Sequence, residues 1–148
     1  MLENQSTFVM IKPDGVKRGL VGEIIGRFEN AGMEILRIQR RVATEEQVRE
    51  HYAHLAETYG EALLQQVVEW IAEWPVIAIV FYGRNAIQVA RKLAGATDPL
   101  KTSPGTIRGD FGSDSIALSS SECRAVENLV HTAETVEDAE REMKIWFR

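Results

Sequence analysis

The chain is short of several things, and each shortage excludes a class of protein. Cys123 is its one cysteine, so no intramolecular disulfide can form and nothing marks a stapled secreted scaffold. The longest apolar run, "VIAIVFY" from Val76, is far too short to span a bilayer. The opening "MLENQSTFV" lacks the basic-then-apolar order of a signal peptide, which makes a reduced, cytoplasmic setting the default expectation. Positive charge is also scarce. A net charge of -5 and a pI near 5.3 argue against a nucleic-acid surface over the whole molecule, while permitting a local basic pocket for small anions. Neither G-x-x-x-x-G-K-[ST] nor G-x-G-x-x-G occurs, and "GVKRGLVG" does not supply the second, so the two common nucleotide loops are missing.

What remains is an ordinary globular composition, 45% hydrophobic and 26% charged over 148 residues, which suits one domain across 1–148 with a sizeable core. "STFVMI" at Ser6 to Ile11 reads as a first strand, bounded by Pro13 and Gly15. Ile24, Ile25 and Phe28 recur at helical spacing from Leu20, and Gly32 stands where a left-handed cap ends that helix. "MEILRIQRRV" fits a half-buried strand. Thr44 and Gln47 form a capping-box pattern opening a helix through Tyr52, and Leu63 to Ile71 mark another, stopped by Pro75. "VIAIVFY", apolar on both faces, reads as a central strand, followed by a helix from about Asn85 to Ala94. Gly95 to Gly112 reads as a long loop, and residues 112 to 127 carry no clear pattern. "NLVH" precedes a last helix capped by Thr135. This order suggests α+β, with helices covering one face of a mostly antiparallel sheet.

Chemistry enters through "KPDG" and "SPGTIRGD". Lys12 ends the first strand beside a turn, and Arg108 lies between Gly105 and Gly109, where bare backbone can approach a ligand. An ammonium and a forked guanidinium suit polyphosphate oxygens, although either taken alone reads first as a solvated lysine or a surface salt-bridge arginine. His131 in "NLVHTAET" admits two readings as well: a satisfied core histidine, or an imidazole whose free lone pair accepts and passes on a phosphoryl group. His51 and His54, at i and i+3 on a helix, have no cysteine or carboxylate spaced to complete a metal site and read as surface or packing residues.

"TFVMIKPDGVKRGLVGEII", "EHY", "GATDP", "SPGTIRGDF", "NLVH" and "AEREMKIWF" occur in the order found in nucleoside diphosphate kinases, which the chain resembles over nearly its whole length. The resemblance implies a ferredoxin-like α/β sandwich and a ping-pong transfer. A nucleoside triphosphate such as ATP phosphorylates the histidine, and a nucleoside diphosphate then collects the phosphoryl group, with Mg2+ arriving on the nucleotide. It further implies His131 as nucleophile, with Glu142 orienting its imidazole and Tyr52 beside it. Lys12, Arg91 and Arg108 become the cations around the phosphates, and Thr97 a phosphate-contacting hydroxyl. Asn128 bonds the ribose hydroxyl region and Leu64 touches the base. A homo-oligomer, tetramer or hexamer, is implied too, with neither membrane nor specific nucleic acid as partner.

The chain departs from that family pattern at three places. The family usually continues its histidine as H-x-S-D, and "HTAE" puts Ala133 where a serine bonds the orienting glutamate. Gly60 occupies the position of the base-stacking aromatic, with Tyr59 adjacent. Residues 112 to 127 exceed the usual link between "RGDF" and the asparagine, in a place the family sets beside the nucleotide; their serines and "IAL" suggest an ordered flap or subunit contact. These departures motivate an alternative of another class, a kinase-like protein that binds nucleotides or partners but turns over slowly. An acid-labile, alkali-stable phosphoprotein formed from terminally labelled ATP separates the two.

Overall fold

A computed structural model describes residues 3–148. In chain order the elements are β1 (Asn4–Ile11), α1 (Pro13–Lys17), α2 (Val21–Asn30), β2 (Glu34–Arg41), α3 (Glu45–His51), α4 (Ala53–Tyr59), α5 (Glu61–Glu73), β3 (Val76–Arg84), α6 (Ala86–Ala94), a 3-10 turn at Pro99–Lys101, α7 (Ile107–Phe111), α8 (Ile116–Ser121), β4 (Val130–Thr132) and α9 (Val136–Trp146). The strands form one antiparallel sheet in the order β2-β3-β1-β4, the ferredoxin-like arrangement.

Both faces of that sheet are covered, where the sequence reading placed helices on one. Alternation in β1 and β3 explains the difference. Val9, Ile11, Ile77, Ile79 and Phe81 point into a core shared with Ile24 and Phe28 of α2 and Ala86, Ala90 and Ala94 of α6. Phe8, Met10, Val76 and Ala78 point into a second core with Val48, Leu64, Val68, Ile71, Ile145 and Trp146. Strands apolar on both sides leave no face for water.

Local signals set most of the boundaries. Thr44 and Gln47 cap α3 reciprocally, Thr135 Oγ1 accepts from Asp138 N at 3.0 Å to start α9, and Gly32 has φ +88° beyond α2. Three expectations shift. β2 is an edge strand and is mostly exposed, with Leu36, Ile38 and Val42 open to solvent, so it is less buried than its pattern implies. The helix at Thr44 ends at His51, and α4 restarts at Ala53, so His51 is buried while His54 is exposed. The segment 95–112 holds the 3-10 turn and α7, whose five-residue length is below what periodicity can reveal.

Residues 112–127 are ordered. Arg124 grips Asp114 with two guanidinium nitrogens at 2.6 and 2.9 Å, Glu127 N donates to the same carboxylate at 2.9 Å, and Ser115 caps α8. The Arg124 hydrogen bonds hold the Asp114 carboxyl down at about 2, against an ordinary 3.8. Because the folded value is depressed, this clamp contributes fully above about pH 4 and is lost as pH falls through about 2, a contribution of no more than about 2 kcal/mol given the solvent around Arg124. Asp114→Asn should therefore cut amide-exchange protection in 116–122 at neutral pH, and the unmodified protein should lose the same protection below about pH 3. Equal protection in both proteins at neutral pH would show the clamp to be idle.

Candidate active site

A cavity of about 650 Å³ opens where the C-terminal end of β1, the middle of β4 and the start of α4 converge. Lys12, Tyr52, Arg91, Thr97, Arg108, Asn128, His131 and Glu142 all line it. Leu64 does not: it is 4% exposed and buried in the second core, so a direct base contact from this position finds no support. Tyr59 is exposed and outside the cavity, Gly60 (φ +96°) breaks the backbone between α4 and α5, and no residue of 112–127 lines the pocket.

The register of β4 on β1 sets the floor. Met10 pairs with His131, and cross-strand partners share a face, so His131 projects beside Phe8 and Met10 toward α9. Before it, Leu129 holds φ +74°, a costly state for leucine. Backbone bonds fix it there: Leu129 N donates to Asp14 Oδ2 at 3.0 Å, and Lys12 N donates to Leu129 O at 2.8 Å. Asp14 was not singled out from the sequence. Its position inside "KPDG" is the signal, since a carboxylate in a buried turn needs a donor.

Glu142 accepts from His131 Nε2 at 2.8 and 3.0 Å through its two oxygens, and is itself 2% exposed. The other ring nitrogen, Nδ1, makes no hydrogen bond among the described residues and is not sealed from solvent. Burial, with Lys12 and Arg108 adding to it, pushes the imidazole well below its ordinary range and keeps it neutral. Burial also raises the Glu142 carboxyl, to about 8, against the pull of Arg141. Burial thus disfavours charge on both groups, and the tautomer of the ring depends on whether the carboxyl accepts at Nε2 or donates to it. With the ring hydrogen on Nε2, Nδ1 offers a lone pair to the cavity.

The cations are unequal. Lys12 Nζ donates to Asn128 Oδ1 at 2.8 Å, while Asn128 Nδ2 donates to Thr97 O at 3.0 Å, so Asn128 braces Lys12 against the loop. Burial and then Arg108 push Lys12 down to about 7, leaving an ammonium whose charge would be reinforced by an arriving anion. Arg108 donates to three backbone carbonyls, Asn128 at 3.1 Å, Gly95 at 2.9 Å and Val130 at 2.6 Å. Three of its five N–H groups therefore staple the loop to β4, and two have no partner among the described residues. The bare backbone at Gly109 serves that loop and not a ligand: a Cβ there would run into the Ser103 carbonyl. Arg91 is exposed, 3.7 Å from Glu134. Tyr52 presents a buried hydroxyl without a partner among the described residues, its ionisation pushed up by burial.

His51, Trp146 and Arg141 also belong to this neighbourhood. Ligand atoms of His51, His131 and Glu142 lie within 4.8 Å of one another, a grouping that could be taken for a metal site. Trp146 Nε1 donates to His51 Nδ1 at 2.8 Å, so the neutral ring carries its hydrogen on Nε2 and turns a donor, not a lone pair, toward the gap. That set does not suit a cation.

The family model for nucleoside diphosphate kinase matches residues 5–148. A nucleoside diphosphate kinase of Pyrococcus abyssi is 46% identical over 146 residues, covering 99% of this chain and 86% of that protein. Among solved structures, the nucleoside-diphosphate kinase of Borrelia burgdorferi, a transition-state mimic with bound vanadate and ADP, superposes with a TM-score of 0.93 at 36% identity, covering 98% of this chain and 88% of that one. An NDP kinase from Pyrobaculum aerophilum superposes with a TM-score of 0.91 at 33% identity, covering 99% and 97%. With a neutral histidine, its buried carboxylate and four cationic side chains around one cavity, and with matches along nearly the whole chain, the protein belongs to the nucleoside diphosphate kinase family.

Proposed function

We propose that the protein moves the terminal phosphoryl group of a nucleoside triphosphate, ATP among them, onto nucleoside diphosphates through a phosphorylated His131. The observation that carries this reading is the Glu142 contact at Nε2, which leaves Nδ1 as the free lone pair. Nδ1 attacks the terminal phosphorus, the bond from that phosphorus to the bridging oxygen breaks, and its electron pair leaves with the diphosphate. Positive charge developing on the ring is met at Nε2–H by the Glu142 carboxylate. A second diphosphate reverses the step. Lys12, Arg91 and the two remaining N–H groups of Arg108 bind and stabilise the transferring oxygens, and the Thr97 and Tyr52 hydroxyls add donors. The bound ADP and vanadate of the Borrelia burgdorferi relative suit this reading.

Nucleotide kinases generally work with a divalent metal, and Mg2+ enters here on the nucleotide as part of the substrate. Lys12 and Arg108 face the cavity where phosphates would lie, which fits a metal brought by phosphates better than one held by the protein. Exposed Cys123 suits a reducing cytoplasm. The edge of β2, with Leu36 at 49% and Ile38 at 47% exposure, is a template for pairing with a second copy, the first step of a homo-oligomer. Light scattering should give a mass of at least twice 16.6 kDa, whereas a monomer at micromolar concentration removes that assignment.

Incubation with terminally labelled ATP should give an acid-labile, alkali-stable phosphoprotein. His131→Ala should abolish label and lower turnover by at least about 10⁴-fold while nucleotide binding persists, because the nucleophile goes and the phosphate clamp stays. Turnover retained in a clean preparation of that variant defeats the mechanism, and absence of label in the unmodified protein favours a nucleotide-binding relative with weak turnover.

Arg108→Ala should act twice. It frees three carbonyl acceptors, so urea denaturation should show a loss of roughly 3 kcal/mol. The catalytic constant should also fall by about 10²- to 10³-fold. Unchanged stability would show that the three carbonyl bonds hold nothing.

A further inference from the structure

Glu142 poses a problem that the transfer alone does not solve. A carboxyl that is 2% exposed and pushed up by burial tends to hold its own proton. Protonated, it would donate to His131 Nε2 and send the ring hydrogen to Nδ1, removing the nucleophile. Something beyond His131 must favour the charged form. Ala133 is fully buried and offers no donor. Arg141 lies 3.7 Å from Oε2, but it is 43% exposed and screened by water.

A buried donor lies close to that carboxylate. His51 Nε2 is 3.6 Å from Glu142 Oε2, makes no hydrogen bond among the described residues, and belongs to a side chain with no exposure. The Trp146 bond at Nδ1 fixes the hydrogen on this Nε2, as argued above. The ring is further held by Phe8 and Tyr52, at centroid distances of 5.9 and 4.4 Å, and meets His131 edge-on at 4.3 Å. Its own carbonyl accepts from Arg141 Nη1 at 3.4 Å, which ties the end of α3 to α9. Burial, His131 and Arg141 together keep the ring neutral, so it acts as an N–H dipole and not as a competing cation. A separation of 3.6 Å is outside hydrogen-bond range, so in the unloaded site this N–H acts on Oε2 as a buried dipole at close range, with little water to screen it.

We infer that His51 is a positioning residue for the phosphoryl transfer: with its tautomer locked by Trp146, its Nε2–H holds Oε2 of Glu142 as an acceptor, which keeps the ring hydrogen on Nε2 of His131 and leaves Nδ1 free. The inference rests on the assignment of His131 as nucleophile. It gives the chain a donor to Glu142 where position 133 has none.

The test uses two variants of the full chain and two readouts. His51→Phe combined with Trp146→Phe removes both partners of the buried bond, so no orphaned N–H is left to unfold the core. His51→Gln returns an amide N–H to the neighbourhood of Nε2. Single-turnover phosphorylation by ATP should slow by about 10- to 100-fold in the double variant and recover most of that loss in His51→Gln, with ATP affinity unchanged in both. Nitrogen-15 spectra of labelled histidine, recorded without nucleotide, should show the His131 hydrogen moving from Nε2 toward Nδ1 in the double variant alone. An unchanged rate and unchanged tautomer overturn the inference, as does equal slowing in both variants with the tautomer in place, which marks a merely structural side chain. If the unmodified protein takes no label yet the tautomer moves, positioning by His51 stands and the assignment of the nucleophile falls.

Discussion

The 2.8 Å contact between Glu142 and Nε2 of His131 is the constraint around which the rest of the molecule is arranged. It selects which ring nitrogen is a donor and which keeps a lone pair, and it can do so only where water does not compete for the carboxylate. The requirement reaches far into the fold. α9 must lie against β1 to bring Glu142 inward, β4 must pair with β1 in one register, and Trp146 must plug the second core below. An element that would otherwise be a simple amphipathic cover thus carries one buried carboxylate on its inner face.

A second arrangement keeps the cations close together despite their repulsion. Lys12 is braced by Asn128, and Arg108 is held by three carbonyl dipoles. Oriented carbonyls offset part of the cost of placing a guanidinium beside an ammonium in a partly dry site. The same bonds make Arg108 both a wall of the cavity and a charge within it, so structural and chemical roles cannot be separated by deleting the side chain.

Much of this was legible in the sequence for identifiable reasons. Turn chemistry marked Lys12 and the Arg108 loop, the capping box marked α3, and the two-faced apolar run marked β3 as interior. The family resemblance named a set of residues that all line the cavity apart from Leu64, which lies in the second core. What escaped depends on contacts across long stretches of chain. His51 looked like a packing residue because its partners, Trp146 and Glu142, lie on the last helix. Covering on both faces was implied by β1 and β3, but the rule for antiparallel sheets pointed to one. The clamp between Asp114 and Arg124 joins residues in a stretch without periodicity, where side-chain pairing rather than patterning sets the shape.

The pairing of Met10 with His131 has a consequence for how the protein comes into being. Ile11 and Val130, one step along, face the opposite core, so a slip of one residue would bury His131 among apolar side chains on the wrong side of the sheet. Lys12, at the end of β1, therefore meets Asn128 and His131 only in a molecule whose β4 has docked in this register, so the cavity is complete or absent with the sheet as a whole.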